Sequence, residues 1–336
     1  GAGDGIVLLS GGTTTADTTS YFSQSLDWTK HAITVVGASA PTRMFQRSRL
    51  ASKSVTTGAL TTLAFPSATT ITDSASGFLT AGFEVGQTIS ITTNSGTNDG
   101  TAIITAVTAG TITCSASTFT IETAATAGSS TIVNYVSYLI DVQGDNNAFY
   151  NVHMGNFDSN ALSLGGLKIS GNRNYFSNCH IIGAGHATPG AVATASSVEL
   201  NGAEEITFDG CTFGTDSVLK AAANGEVIVD GSSWRIRFNG CDFISYSATA
   251  GKVAVKSVDN TSFSGVMLFR ACQFVNWNEN GITAVDDVFG GTASTSGQYA
   301  VTPDCSSVGY TGWGGSVYVS GAAAAASAGG QIGTTE

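Results

Sequence analysis

Apolar positions in the second half of this chain come in short runs. Most alternate with polar residues, the pattern of strands that bury one face. One run returns five times with its neighbours: Phe149-Tyr-Asn-Val-His-Met154, Phe176-Ser-Asn-Cys-His-Ile181, Phe208-Asp-Gly-Cys-Thr-Phe213, Phe238-Asn-Gly-Cys-Asp-Phe243 and Phe269-Arg-Ala-Cys-Gln-Phe274. The pattern is Phe-x-x-Cys-x-Phe/Ile, with Val152 in place of the first Cys, and the Phe-to-Phe steps are 27, 32, 30 and 31 residues. A second apolar run precedes each copy: Leu139-Ile-Asp-Val142, Leu167-Lys-Ile169, Val198-Glu-Leu200, Val227-Ile-Val229 and Val253-Ala-Val255.

Phe and Cys are three residues apart, which puts them on opposite faces of a continuous strand. Both face inward only if the chain bends between them. The residue before Cys is Asn151, Asn178, Gly210, Gly240 or Ala271, and Asn and Gly enter left-handed backbone at low cost. Ala271 departs from that rule. An Asn-Gly pair also suits a hairpin, but a hairpin does not explain recurrence about every thirty residues. The repeat predicts an all-β right-handed parallel β-helix, a solenoid with at least two strands per coil and like residues stacked about 4.8 Å apart. Phe176, Phe208, Phe238 and Phe269 form one predicted internal stack, and Cys179, Cys211, Cys241 and Cys272 another.

Four segments follow. Residues 1–55 hold the N-terminal cap and first coils. Ile6–Leu9 and Ala32–Gly37 are candidate strands, and the segment between them, with Tyr21, Phe22, Leu26 and Trp28, is expected to cover the open end. Residues 56–134 are rich in Thr, Ser, Ala and Gly and lack the motif. Candidate strands at 88–92, 102–107 and 111–114, the first two joined by the Gly- and Asn-bearing turn 94–100, predict an inserted small antiparallel β domain. Residues 135–320 are coils, and 321–336 a Gly/Ala-rich tail.

Composition supports β structure. The chain has 42 Gly, 4 Pro and 42% hydrophobic residues, and only 11% Asp, Glu, Lys or Arg, against about 25% in a typical soluble domain. Its net charge of −11 argues against nucleic acid as a partner, because such binding depends on phosphate neutralisation. No apolar run is long enough to span a membrane. Gly1–Ser10 has no basic stretch ahead of its apolar run, so a signal peptide is not expected there.

Candidate chemistry is sparse. The ladder cysteines lack the close C-x2-C pairs of metal sites and are expected to be reduced core residues; Cys114 and Cys305 fall outside the ladder and have no assigned role. Glu204 with Glu205 and Asp286 with Asp287 are adjacent, so each pair diverges on a strand. Asp209 and Asp242 are candidates for convergence across coils, though Asp at a corner commonly bonds its own turn. His153 and His180 share a motif position and are expected to stack outward; with His186 they are the candidate base cluster. The Gly-rich stretch 183–190 lacks the Lys and Ser/Thr of a phosphate loop. Trp234 and Trp277 are candidate sugar platforms. Arg43, Arg47, Arg49 and Lys53 form the basic cluster of an acidic chain, suited to an acidic protein neighbour. No catalytic set, metal site or cofactor is expected.

The Phe-x-Asn/Gly-Cys coils resemble the pectate-lyase-like β-helix superfamily. Lys30-His-Ala-Ile-Thr-Val-Val-Gly-Ala-Ser-Ala-Pro-Thr-Arg43 with Gln46-Arg-Ser-Arg49 resembles the opening coil of β-helix proteins among phage structural genes. Phe83-Glu-Val-Gly-Gln-Thr-Ile-Ser-Ile91 with Asn98-Asp-Gly-Thr101 resembles a small β domain of phage virion proteins. Together these cover most of residues 30–275. Enzymes of the superfamily carry clustered Asp with a catalytic Arg or Lys, or Asp triplets with Gly-His-Gly, and neither set is found here. The resemblance implies a non-catalytic virion protein: a capsid decoration or cement protein on the outer capsid surface, bound to the major capsid protein and self-assembled, as a homotrimer by analogy. The basic cluster and the tail are its candidate capsid contacts. The alternative is a tailspike or secreted β-helix protein that binds or cleaves polysaccharide, favoured by an aromatic groove with converging carboxylates.

Overall fold

A repeat of this kind can satisfy its backbone only by pairing each coil with the next. The computed structural model shows that arrangement. It describes residues 5–8, 19–38, 48–115, 119–259, 263–278, 281, 284–291, 297–314, 317–319 and 322–323. The chain divides into two units, one of residues 1–21, 25–51 and 137–336, the other of residues 22–24 and 52–136. The first is a parallel β-solenoid.

Among the described residues its strands lie in sheets of seven, eleven and eight. One coil shows the path. Gly165–Ile169 lies in the seven-stranded sheet, Tyr175–Ser177 in the eleven-stranded sheet and His180–Ile182 in the eight-stranded sheet. Ser196–Asn201 then returns to the first. A coil thus has three strands, one more than the minimum inferred from the repeat. The bend between Phe and Cys is a left-handed residue in every copy, with φ of 57° at Asn151, 54° at Asn178, 61° at Gly210, 57° at Gly240 and 50° at Ala271. Ala271 adopts the corner despite its Cβ, because the strands on either side of it are held in register with the preceding coil.

Phe149, Phe176, Phe208, Phe238 and Phe269 stand in register and are fully buried. Their rings stack with centroids 5.0, 5.1, 5.0 and 4.7 Å apart, matching the strand spacing of about 4.8 Å. On the eight-stranded sheet Phe213, Phe243 and Phe274 form a second column, at 4.9 and 4.6 Å. Between the columns the thiols of Cys179, Cys211, Cys241 and Cys272 each donate to the carbonyl of the Phe one coil earlier, at 3.4 to 3.6 Å. Cys305, unassigned from the sequence, continues this ladder: its thiol donates to Phe269 O at 3.5 Å, one position before Ser306, which pairs with Gln273.

Two expectations need correction. The segment around Leu26, at the edge of the seven-stranded sheet, is not a cover separate from the coils. Leu26–Trp28 is itself a coil strand, in parallel register with Ile140–Val142, and Trp28 meets Phe149 edge-on at 5.3 Å. Leu26-Asp-Trp28 repeats the in-out alternation of Ile140-Asp-Val142, so pairing satisfies backbone and side chains together. Thr19–Phe22 joins the eight-stranded sheet. In the fifth coil the strand is Val255–Ser257 rather than 253–255, because Val255 is the residue that pairs with Val227.

The second unit holds an antiparallel sheet of six strands among the described residues. It contains the three candidate strands, seen at Thr88–Thr92, Gly100–Val107 and Thr111–Cys114, together with Leu63–Ser67, Thr70–Asp73 and Thr131–Asn134. Phe65, Phe78, Phe83, Ile89, Ile112 and Cys114 are buried in its core. Cys114 is a packing residue, and burial pushes its thiol up to about 11.

Removing the Phe238 ring leaves a void between Phe208, Phe269 and Phe243. Phe238→Ala should lower stability by about 3–5 kcal/mol in urea unfolding; a change below about 1 kcal/mol would contradict the stacked core. All six cysteines are unpaired and buried, so thiol counting on protein denatured without reductant should find six free thiols, and loss in pairs would contradict the ladder.

Candidate functional site

The chain turns a second corner between the seven- and eleven-stranded sheets. Successive coils place Ala32, Asn146, Arg173, Glu205 and Arg235 there, with φ of 55°, 59°, 56°, 57° and 55°. Backbone bonds fix the bend: Ala32 N donates to Asp145 O, Asn146 N to Asn172 O, Arg173 N to Glu204 O and Glu205 N to Trp234 O, at 2.8 to 3.1 Å. Asn suits this backbone; Arg and Glu adopt it at a cost of about 1–2 kcal/mol each. Beneath, Asn147 and Asn174 are buried and bridge coils: Asn147 N donates to Asn174 Oδ1 at 2.8 Å, and Ile33 N to Asn147 Oδ1 at 3.0 Å.

The side chains at this corner form a charged ladder. Arg173 Nε lies 2.6 Å from Glu205 Oε2, Arg235 Nη1 lies 2.8 Å from Glu205 Oε1, and Arg235 Nη2 lies 3.5 Å from Glu204. The Arg235 guanidinium covers Trp234, its carbon 4.1 Å from the ring centre. Next to it the outer face of the eleven-stranded sheet carries Tyr150, Tyr175, Thr207, Asp209 and Arg237. The Tyr150 and Tyr175 rings are 5.7 Å apart, and the Tyr175 hydroxyl donates to Asp209 at 3.0 Å. Partial burial and that hydrogen bond hold the Tyr175 phenol above its ordinary value. Arg173, Tyr175, Glu205, Thr207, Arg235 and Arg237 line a groove of about 440 Å³.

The remaining candidates lie apart. Asp209 is on the eleven-stranded sheet and Asp242 on the eight-stranded sheet. Asp286 and Asp287 bond locally, Asp286 Oδ1 to Asp287 N and Asp287 Oδ1 to the Thr311 hydroxyl, both at 2.9 Å. His153 and His180 stack at 4.8 Å, and His180 Nε2 lies 3.0 Å from Gly214 O. His186 instead caps a short helical turn through Thr188 N, within the Gly-rich stretch. Trp277 is exposed, beside Tyr246 on the eight-stranded sheet. The basic cluster is divided. Arg43 and Arg47 lie outside the described residues, as does most of the tail. Lys53 is exposed in the small domain. Arg49 belongs to the solenoid, in register with His153 and packed over the Phe157 ring at 4.5 Å. Among the described residues no group of three or more His, Cys, Asp or Glu is placed to hold a metal, and no helix is long and apolar enough to cross a membrane.

The coordinates define a parallel β-solenoid carrying a charged, aromatic groove. No protein-family model matches the chain, and no curated protein does. Solved structures similar to it include the tailspike gp49 of Pseudomonas phage LKA1, at 14% identity and TM-score 0.24 over 94% of this chain and 62% of that one. Others are the tailspike gp61 of Pseudomonas phage phi297, at 11%, 0.22, 89% and 63%, and the Gp54 tailspike of Acinetobacter baumannii bacteriophage AP22 in complex with A. baumannii capsular saccharide, at 8%, 0.22, 94% and 63%. The chain spans less than two thirds of the length of each.

One buried cluster escaped the sequence reading. Glu226, Lys220 and Lys252 lie inside the solenoid. Glu226 accepts from Ser245 at 2.6 Å, Ser197 at 2.8 Å and Lys252 Nζ at 3.0 Å. Lys220 Nζ donates to Ala184 O. Gly214, at φ 85°, lies where a Cβ would strike the Glu226 carboxylate. Burial opposes the Glu226 charge, but the two lysines and two hydroxyls outweigh it and hold the carboxyl down at about 2. With no access to solvent the cluster touches no substrate; its work is structural, and no spacing in the sequence announces it. Burial holds Lys220 down to about 8, below its unfolded value, so near neutral pH the folded state carries the penalty of a buried charge that is relieved as pH rises through the window from 8 to 10.5. Lys220→Met removes that penalty. Its stability relative to wild type should therefore fall by about 2 kcal/mol between pH 7 and pH 10 in urea titrations; a pH-independent difference would count against this account.

Proposed function

We propose that the chain is a non-catalytic β-helix component of a phage particle, assembled with copies of itself, that binds polysaccharide on the outer face of its eleven-stranded sheet. The observation that carries this reading is the row of Tyr150, Tyr175, Thr207, Asp209 and Arg237 on a rigid wall, continuous with Arg235 stacked on Trp234. Aromatic rings cover the apolar faces of sugars, and carboxylate and guanidinium groups bond their hydroxyls with defined direction. The virion setting is supported by the resemblance of residues 30–49 and 83–101 to phage structural proteins. A saccharide partner takes precedence over the capsid protein because aromatic, carboxylate and guanidinium groups share one wall here.

The carboxylates on this side are already engaged, Glu204 and Glu205 by arginines and Asp209 by Tyr175. That favours binding over the acid and base pair that glycoside cleavage needs. On an array of capsular and lipopolysaccharide glycans the purified protein should be retained without releasing reducing ends, and Tyr175→Ala should weaken retention about tenfold. Absence of retention would sink the binding claim, and turnover abolished by one carboxylate substitution would sink the non-catalytic one.

A further inference from the structure

Aspartate or asparagine followed by glycine recurs along this chain. Such a pair can close on itself, the glycine nitrogen attacking the side-chain carbonyl carbon of the residue before it. Glycine favours the reaction because it has no Cβ to obstruct the approach. At several of these pairs the fold holds the reacting groups apart. Gly202 N donates to Asp230 O at 3.1 Å, Gly210 N to Asn239 O at 2.8 Å and Gly240 N to Arg270 O at 2.8 Å. Asp99 turns its carboxylate back onto Thr93 N, at 2.6 Å.

Asp230–Gly231 differs. Gly231 and Ser232, both at φ 64°, form the turn that follows the strand Val227–Asp230. That turn folds the glycine nitrogen onto the carboxyl group: Gly231 N lies 2.7 Å from Asp230 Oδ1 and has no other acceptor among the described residues. The carbonyl oxygen of the same peptide bond accepts twice, from Gly202 N at 3.1 Å and from the Ser233 hydroxyl at 3.0 Å. When Gly231 N gives up its proton, negative charge develops on that oxygen, and donors already fixed there stabilise it. The fold also requires glycine at this place, since a Cβ would lie 2.5 Å from Asn201 Oδ1 and 2.6 Å from Gly202 N. Gly231 and Ser232 are exposed and Asp230 is half-buried, so water reaches the turn.

We infer that Asp230–Gly231 is a self-modification site, which converts through a cyclic imide to isoaspartate. The carboxyl reacts in its protonated form. The lone pair of Gly231 N forms a bond to Asp230 Cγ, the bond from Cγ to its hydroxyl breaks, and the amide proton and that hydroxyl leave as one water. A second water opens the ring. Its addition at Cγ restores aspartate. Its addition at the main-chain carbonyl carbon of Asp230 leaves the chain running through Cβ and Cγ. That product has one more backbone atom in the turn leading to Trp234 and Arg235, so the change lands beside the groove that Arg235 lines.

The full chain is incubated in mildly acidic buffer made with heavy-oxygen water, then cut into peptides for mass spectrometry. Each passage through the imide leaves a heavy oxygen at the site, whichever product forms, and fragmentation separates isoaspartate from aspartate. Asp230 should take up label about tenfold faster than Asp99, Asp209 or Asp286. Asp286 is a useful comparison because its Oδ1 also lies against the next nitrogen, at 2.9 Å from Asp287 N, but Asp287 carries a Cβ. In urea, where only the sequence remains, Asp99, Asp209 and Asp230 should label alike. Ser233→Ala, which removes one of the two donors to Asp230 O, should slow labelling, and Asp230→Glu, which must close a larger ring, should nearly stop it. Equal labelling of Asp99, Asp209 and Asp230 in the folded chain would overturn the inference. So would a preference for Asp230 that persists in urea, or a Ser233→Ala variant that labels as fast as wild type or faster.

Discussion

Everything in the solenoid depends on parallel pairing of each coil with the next. Once one coil lies over another at about 4.8 Å, every side chain sits above its counterpart, and the inside must be filled by residues that tolerate stacking on themselves. Aromatic rings do so: the Phe149-to-Phe269 column repeats at 4.7 to 5.1 Å with nearly parallel planes. The corner beside it must close within one residue, which demands left-handed backbone at Asn, Gly or, under the constraint of both strands, Ala271. Cysteine follows because that position needs a small apolar group, and its thiol reaches the Phe carbonyl of the coil before.

The same rule applied to charge gives opposite results inside and outside. Inside, an ion has no water, so Glu226 is surrounded by Lys252 and two serine hydroxyls, and Lys220 is left with a depressed affinity for its proton. Removing one member of such a group strands another. Outside, charges in register build ladders: Arg173, Glu205 and Arg235 alternate in sign on three successive coils, and each guanidinium reaches the carboxylate between them. These partly exposed pairs add little stability, and their backbone is strained.

How much was legible varied with the range of the interaction. The repeat, its corner and its aromatic column follow from residues within six positions of one another, copied five times, and copies make a local pattern visible. Cys305 was missed because its coil lacks the Phe before it, with Val301 in register with Phe269. Leu26–Trp28 was missed because its partner strand lies more than a hundred residues away, across the inserted domain. The Arg173–Glu205–Arg235 ladder was hidden for a similar reason. Glu204 and Glu205 were read as a diverging pair, and their arginines lie 32 and 30 residues away, visible only once the coil length at that corner is fixed.

The sequence by itself determined the coil, its internal columns and the left-handed bend between Phe and Cys, because those properties belong to short segments and their repetition. The tertiary structure alone decided which outward residues meet, that Arg49 packs over the Phe157 ring, and which charges are buried. These depend on the register between coils of unequal length, 27 to 32 residues. A shift of one residue in a connecting turn moves a side chain to the opposite face of its strand. That register is set by many backbone pairs acting together, and no single segment of the chain encodes it.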